Sequence, residues 1–303
     1  MNRRPRIAVL IPSYRRPHIL KLTLPSWIKG YVDYLVVAAD SPDDTEINMY
    51  RKVLEEARKS QNNVEIIYEL YRGRRGSVNA RNKLLEIASE LDAEYIVMAD
   101  DDYILPKADS LARMALWLRK LKEVGAVGGR VIMARRRTAD PDFFLNTPIN
   151  IADPLTKITG FIFLNVEKGP RYAEYLTHFY MTRKDIAAKV RYDKLFETPT
   201  GYREESDVQE QIKKMGYKLL IDPKTYVIHL GMEEGGDRLT IPESQRFYWK
   251  ARNHIQFILK HQKHTPQRIW YILTSLTLLT LYRPWHIKHI LKGFNNGLKE
   301  YQT

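Results

Sequence analysis

Three consecutive carboxylates, Asp100-Asp101-Asp102, follow the apolar run Tyr95-Ile96-Val97-Met98-Ala99. Crowded carboxylates repel one another, and they persist where a cation compensates them. Carboxylates separated by one residue at a strand end can reach a hard cation such as Mg²⁺ or Mn²⁺, which typically also binds substrate phosphates. A solvated acidic turn before Leu105-Pro106 would give the same three residues, and on these residues alone both readings stand. A second acidic cluster, Glu204-Glu205-Ser206-Asp207, opens a helical pattern that Gly216 closes. The helix dipole and free N–H groups favour an ionised carboxylate there, which suits a general base and equally a simple cap. His229 ends the run Tyr226-Val227-Ile228. A lone histidine in that place is a satisfied core residue or, where a metal is present, a ligand.

These residues must be positioned by the elements around them. Apolar, β-branched runs at Ile7–Ile11, Tyr34–Ala38, Val64–Tyr68 and Tyr95–Ala99 alternate with helical patterns at His18–Ile28, Thr45–Lys59, Ser77–Leu91 and Ser110–Val124. Such alternation predicts βαβ units and a mostly parallel sheet with helices on both faces. Ligands of open α/β sheets bind beyond the carboxyl ends of the strands, where Pro12-Ser13-Tyr14, Asp40-Ser41 and the three aspartates would gather. Residues Arg135 to Asp153 read as a long irregular stretch. The cluster around Ser206–Met215 predicts a helix, and Tyr217–Ile221 and Thr225–Leu230 predict two short strands around a turn at Asp222-Pro223. Ser244–His261 predicts a further helix.

The chain has 303 residues, no cysteine and a net charge of +13. The missing cysteines exclude disulfides, a thiol nucleophile and any zinc or iron–sulfur site built on Cys. They suit a cytoplasmic protein, and with abundant Lys, Arg and Glu they also suit a thermophile. Arg3, Arg4 and Arg6 precede an apolar run that Pro12 interrupts too early for a signal peptide. From Arg246 to Thr303 ten basic residues face Glu300 alone, a net charge of +9. That tail also carries the apolar run Ile269–Leu281 between Arg268 and Arg283, with Trp270, Tyr271, Tyr282 and Trp285 at its ends. The run is shorter than the ~20 residues of a straight transmembrane helix. Basic flanks with aromatic ends favour an interfacial helix on anionic lipid, and a helix packed on the body is the alternative.

Taken in order, these pieces resemble the family 2 glycosyltransferases with the GT-A fold, across roughly residues 6 to 260. Ile11-Pro12-Ser13-Tyr14-Arg15-Arg16-Pro17 is similar to the family's opening strand and Pro-(Thr/Ser)-Tyr-Asn-Arg start. Ser41-Pro42-Asp43-Asp44-Thr45 resembles its Ser-Thr-Asp-Gly-Thr turn, and Gly76-Ser77-Val78-Asn79-Ala80-Arg81-Asn82 its helix start beneath the nucleotide. Asp100-Asp101-Asp102 fits its Asp-x-Asp. Glu204-Glu205-Ser206-Asp207, then Gly216-Tyr217 and His229, follow its Glu-Asp-x-Asp, Gly-Tyr and His. Gly235-Gly236-Asp237-Arg238 and Arg252-Asn253 resemble the tail of archaeal members. The chain departs from the pattern at Ala38-Ala39-Asp40, where many members carry an Asp pair, and at Glu205, where they carry an aspartate.

The resemblance implies a Rossmann-like GT-A catalytic domain over residues 1–235 and a helical membrane-associating region over 236–303. It implies an inverting transfer of a hexose, mannose from GDP-mannose first and glucose from UDP-glucose second. The acceptor would be lipid-linked or a glycan, as in N-glycan or other surface-glycan synthesis. The implied cofactor is Mn²⁺ or Mg²⁺ on Asp102 and His229. Pro12, Tyr14, Asp40, Asp100, Asp101 and Arg238 would contact the donor, and Glu205, with Glu204 beside it, would serve as base. Arg81 is a further donor contact or a helix-surface salt bridge. The expected partners are the nucleotide sugar, a lipid-linked acceptor and an anionic membrane at its cytoplasmic face, with no nucleic acid. A nucleotidyltransferase would instead carry a Gly-rich loop after the first strand, and Pro12–Pro17 has no glycine. A non-catalytic membrane or nucleic-acid binding module is the alternative that the basic tail leaves open.

Overall fold

The computed structural model describes residues 4–60, 63–134, 152–164, 169–231, 236 and 241–302. Its first part alternates as the sequence predicts: β1 (Ile7–Tyr14), α1 (Pro17–Ile28), β2 (Tyr34–Ser41), α2 (Asp44–Ser60), β3 (Glu65–Arg72), α3 (Ser77–Glu90) and β4 (Tyr95–Met98). Next come β5 (Tyr103–Ile104), α4 (Ser110–Lys120), β6 (Val124–Met133), α5 (Ala152–Thr159), β7 (Arg171–Ala173), β8 (Tyr180–Arg183), α6 (Lys184–Ala187), α7 (Glu204–Lys214) and β9 (Lys218–His229). Three helices end the chain: α8 (Glu243–His261), α9 (Thr265–Tyr282) and α10 (Ile287–Gln302).

The sheet runs β3-β2-β1-β4-β8-β6-β9-β5, with β7 also on β9. Strands β1, β2, β3, β4, β6 and β9 share one direction, and β5, β7 and β8 oppose it. The result is a mixed, mostly parallel sheet. Alternate residues of a strand face opposite sides. Ile7, Val9 and Ile11 therefore join the layer under α1, α2 and α4, while Ala8 and Leu10 join the layer under α3 and α7. Burial on both faces explains why β1 and β2 read as continuous apolar runs. Chain order reverses between β1 and β4, so the crevice beyond Pro12-Ser13-Tyr14 and Asp100-Asp101-Asp102 lies at a topological switch point.

Two expectations are corrected. The two short strands predicted around Asp222-Pro223 are one strand, β9, whose pairing with β6 shifts register there. Asp222 is fully buried and accepts hydrogen bonds from Arg113 Nε and Trp117 Nε1, so what reads as an exposed turn is an anchored irregularity. The helix predicted to reach Val124 ends at Lys120, and Val124 begins β6. Gly125, Gly128 and Gly129 hide that strand from propensity. A Cβ at Gly125 would lie 2.5 Å from Ile212 Cγ2, and one at Gly129 would lie 2.5 Å from Phe179 Cε1. These glycines thus admit close neighbours. The stretch Arg135–Asp153 lies outside the described residues except for its last two, which open α5.

Helices α8, α9 and α10 form a third apolar cluster around Phe247, Ile255, Leu279, Ile290 and Phe294. Backbones approach closely where α10 crosses α8: a Cβ at Gly293 would lie 2.2 Å from the Tyr248 carbonyl oxygen. Backbone cannot yield as a side chain can, so Gly293→Ala should overpack this contact at a cost of about 1–3 kcal/mol. Thermal unfolding of the variant should show a lower midpoint. An unchanged midpoint would mean that α10 is not held against α8 as described.

Candidate active site

A cavity of about 360 Å³ opens at the switch point, lined by the ends of β1 and β4, the starts of α3 and α7, and His229 at the end of β9. The structure brings Pro12, Tyr14, Asp40, Arg81, Asp100, Asp101, Asp102, Glu204, Glu205 and His229 to this one cavity. Arg238 lies outside the described residues. Gly236 also lines the cavity, and its N–H donates to the Tyr14 carbonyl at 3.1 Å.

The three aspartates differ in their nearest partners, and Asp101 and Asp102 share Arg16. Asp100 accepts from Arg81 Nη2 at 2.7 Å. Asp101 is buried and accepts from Ser13 Oγ at 2.6 Å, while Arg16 Nη1 stands 3.4 Å from its other oxygen. Asp102 Oδ2 lies 2.9 Å from His229 Nε2 and 3.3 Å from Arg16 Nη1. Burial and the adjacent Asp102 charge push the Asp101 carboxyl up to about 7. Around it, Ser13 Oγ also meets Tyr50 Oη at 2.7 Å, and that phenol accepts from the Arg16 N–H.

Across the cavity, α7 presents Glu204 and Glu205 from its first turn, both buried. Ser77 Oγ donates to Glu204 at 2.8 Å, and His178 Nδ1 lies 2.6 Å from Glu205. Burial opposes ionisation of Glu205, but His178 and Arg81 outweigh it and hold the carboxyl below the usual glutamate range. Burial and the Glu205 charge push its neighbour Glu204 up to about 7. The environment therefore pushes two adjacent carboxyls apart, Glu205 toward its ionised form and Glu204 toward holding its proton.

Arg81 joins the two halves. It is buried, with Nε 3.4 Å from Glu204, and Nη2 3.4 Å from Glu205 and 2.7 Å from Asp100. A helix-surface salt bridge is thereby excluded. The start of α3 lines the cavity, yet its Ser77 and Val78 amides donate to Glu197 at 3.1 and 2.8 Å. That helix terminus is already served by a carboxylate. Asp40 is likewise committed, accepting from the Arg75 N–H and Nε, both at 2.9 Å.

Sequence reasoning did not assign Arg16, Ser77, His178, Arg246 or the segment from Thr198 to Gly201, all of which line the cavity. A signal for Arg16 was present, a basic residue just past the first strand's carboxyl end. His178 is isolated in the sequence and gains meaning only when β8 brings it to α7.

No protein-family model matches the sequence, and no curated protein matches it by sequence. Solved structures do match. One is the mannosyltransferase PcManGT from Pyrobaculum calidifontis, in complex with GDP-Man and Mn²⁺. It is 17% identical, with a TM-score of 0.59 over 98% of this chain and 76% of that one. Another is residues 1–349 of TarS from S. aureus, 13% identical, with a TM-score of 0.55 over 92% of this chain and 72% of that one. The fold is GT-A-like.

The raised Glu204 carboxyl sets a pH dependence of stability. A group that holds its proton more tightly when folded contributes stability below its unfolded value and loses it as pH rises through the folded value. The melting midpoint of the ligand-free chain should therefore fall from about pH 5 to about pH 8, and Glu204→Gln should flatten that fall. Parallel curves for the two proteins would show that Glu204 is not the proton holder.

Proposed function

We propose that this chain is an inverting, metal-assisted glycosyltransferase that takes a hexose from a nucleoside-diphosphate donor. The observation that carries this reading is the meeting of three strand-end aspartates, His229 and a low-lying Glu205 in one cavity at the switch point. The GT-A-like fold supports it, as does the GDP-Man and Mn²⁺ bound by PcManGT. GDP-mannose is accordingly the first donor to test and UDP-glucose the second.

Asp102 and His229 suit a divalent cation. Their facing O and N atoms are 2.9 Å apart, close to the ~3 Å between adjacent octahedral ligands with bonds of ~2.1 Å. Among the described residues no three His, Cys, Asp or Glu side chains could hold a metal ion, so in this reading Asp102 and His229 would hold the cation only together with the bound donor. A cation there would neutralise charge growing on the leaving diphosphate. The chain's own residues do the rest. Arg16 stands beside Asp101 and Asp102, where it can meet the same phosphates. Glu205 accepts the proton of the acceptor hydroxyl as its oxygen attacks the anomeric carbon and the bond to the diphosphate breaks. His178 orients Glu205, and Arg81 keeps the two glutamates and Asp100 together.

The same reading places the enzyme at a membrane, on its cytoplasmic face, with a lipid-linked acceptor. Among the described residues no helix is long and apolar enough to cross a bilayer. Helix α9 nevertheless buries only Ser275 and Leu279, leaving Ile269, Trp270, Leu273, Leu281 and Tyr282 exposed, with Trp285 beyond them. An apolar helix left uncovered in a basic region suits the plane of an anionic interface.

Two results check this. Glu205→Gln should keep metal-dependent nucleotide binding while transfer falls by about 10²–10⁴-fold, whereas Asp102→Ala should lose both; full transfer by Glu205→Gln would remove it as the base. In vesicle flotation the full chain should rise with anionic liposomes, and a Trp270→Ser, Leu273→Ser, Trp285→Ser variant should stay behind. Equal flotation of the two would reject the anchor.

A further inference from the structure

A second cavity, of about 350 Å³, adjoins the first. The two share His178, Thr200, Gly201, Glu205 and Arg246, but none of the three aspartates lines the second. Glu205 and His178 thus face a donor-sized space on one side and an unassigned space on the other. The second space has a distinct chemistry. Arg203, Arg246 and Lys250 supply positive charge, Ile162, Leu164 and Leu176 supply apolar wall, and Glu205 is the one acidic residue among the described lining.

Arg203 is the unusual member. It is only 6% exposed and adopts a left-handed backbone with φ of 75° at the entry to α7. Nε donates to His254 Nδ1 at 3.1 Å, and His254 Nε2 meets Ser275 Oγ of α9 at 2.6 Å. Tyr202 and Phe161 present ring faces 4.5 and 5.6 Å from the guanidinium carbon. Among the described residues Nη2 has no hydrogen-bond partner, and no carboxylate pairs with the side chain. Arg81, equally buried, has three carboxylates. Burying a guanidinium without an acid is costly, and aromatic faces offset only part of that cost. A residue with a purely structural task has no need of that expense. A residue held ready for an anion does, and the His254–Ser275 pair fixes its orientation in advance.

We propose that the second cavity is the acceptor site and that it takes an acceptor bearing a phosphate group. Arg203 and Lys250 grip the phosphate, and Ile162, Leu164 and Leu176 cover the chain attached to it. This rests on the transferase reading and adds to it how the acceptor is held beside Glu205. The phosphate belongs to a lipid or to a soluble phosphorylated acceptor. Leu164 is half-exposed, and a few residues before it the Ile158 carbonyl accepts from Trp270 Nε1 of α9.

The test is calorimetric titration of the full chain with its donor site filled by a nucleoside diphosphate and Mn²⁺. Inorganic phosphate should then bind saturably, and Arg203→Gln and Lys250→Gln should each weaken it about tenfold or more without changing nucleotide affinity. Lys250, only partly buried, keeps the test open if the Arg203 variant fails to fold. No saturable phosphate binding to the loaded protein, or equal binding by wild type and Lys250→Gln, would overturn the proposal. Failure of the wild type to bind any nucleoside diphosphate would instead overturn the donor-site reading. Geranyl phosphate is the second probe. Tighter binding than phosphate, with the gain lost in Leu164→Ser, supports the site and assigns it a lipid phosphate; equal binding supports the site and assigns it a soluble one.

Discussion

Six carboxylates, Asp40, Asp100, Asp101, Asp102, Glu204 and Glu205, line one crevice, and five of them are buried. Buried charge persists only when paired. Arg81 is the pairing group that spans them, reaching Asp100 from one side and both glutamates from the other. Much of the architecture follows from that need. Helix α3 must start beside the carboxyl end of the sheet to deliver Arg81, β4 must end at the switch point, and α7 must start opposite it. Arg16, from just past β1, covers Asp101 and Asp102. Even so, burial first and the neighbouring carboxylate second push the Asp101 and Glu204 carboxyls up. In the proposed reading a cation beside Asp102 would offset part of the repulsion among these carboxylates and let a diphosphate approach them.

The far wall of the crevice depends on the C-terminal helices. Asn253 of α8 donates to Thr198 Oγ1 and to the Tyr202 carbonyl, and Arg252 donates to the Leu195 carbonyl. Lys260 reaches both Asp193 and the fully buried Asp207 of α7. Helix α8 therefore holds the segment that carries Thr198, Gly201 and Arg203 into the two cavities, and α9 reaches Arg203 through Ser275 and His254. A helix with an exposed apolar face is thus mechanically continuous with the place where an acceptor would bind.

Much of this was legible in the sequence, for identifiable reasons. Strands β1 to β4 and helices α1 to α4 showed themselves because their periods change cleanly and their strands are buried on both faces. The aspartates, the glutamates and His229 showed themselves because chemistry-bearing residues stood at element ends. Strand β6 did not, since glycines required by Ile212 and Phe179 weaken its pattern. Nor did the continuous β9, since Asp222-Pro223 has turn chemistry and its burial depends on Arg113 and Trp117. Arg81 was ambiguous because a helical arginine gives no sign of facing inward. His178 and Arg203 carried no signal, because what they do depends on partners distant in sequence.

The most direct test of the account is a crystal structure of the full chain with GDP and Mn²⁺, with anomalous scattering used to place the metal. One manganese peak should be bonded to Asp102 and His229, with the diphosphate beside it and Glu205 facing open space where an acceptor hydroxyl would stand. Manganese elsewhere, or nucleotide bound outside the crevice between β1 and β4, would contradict it.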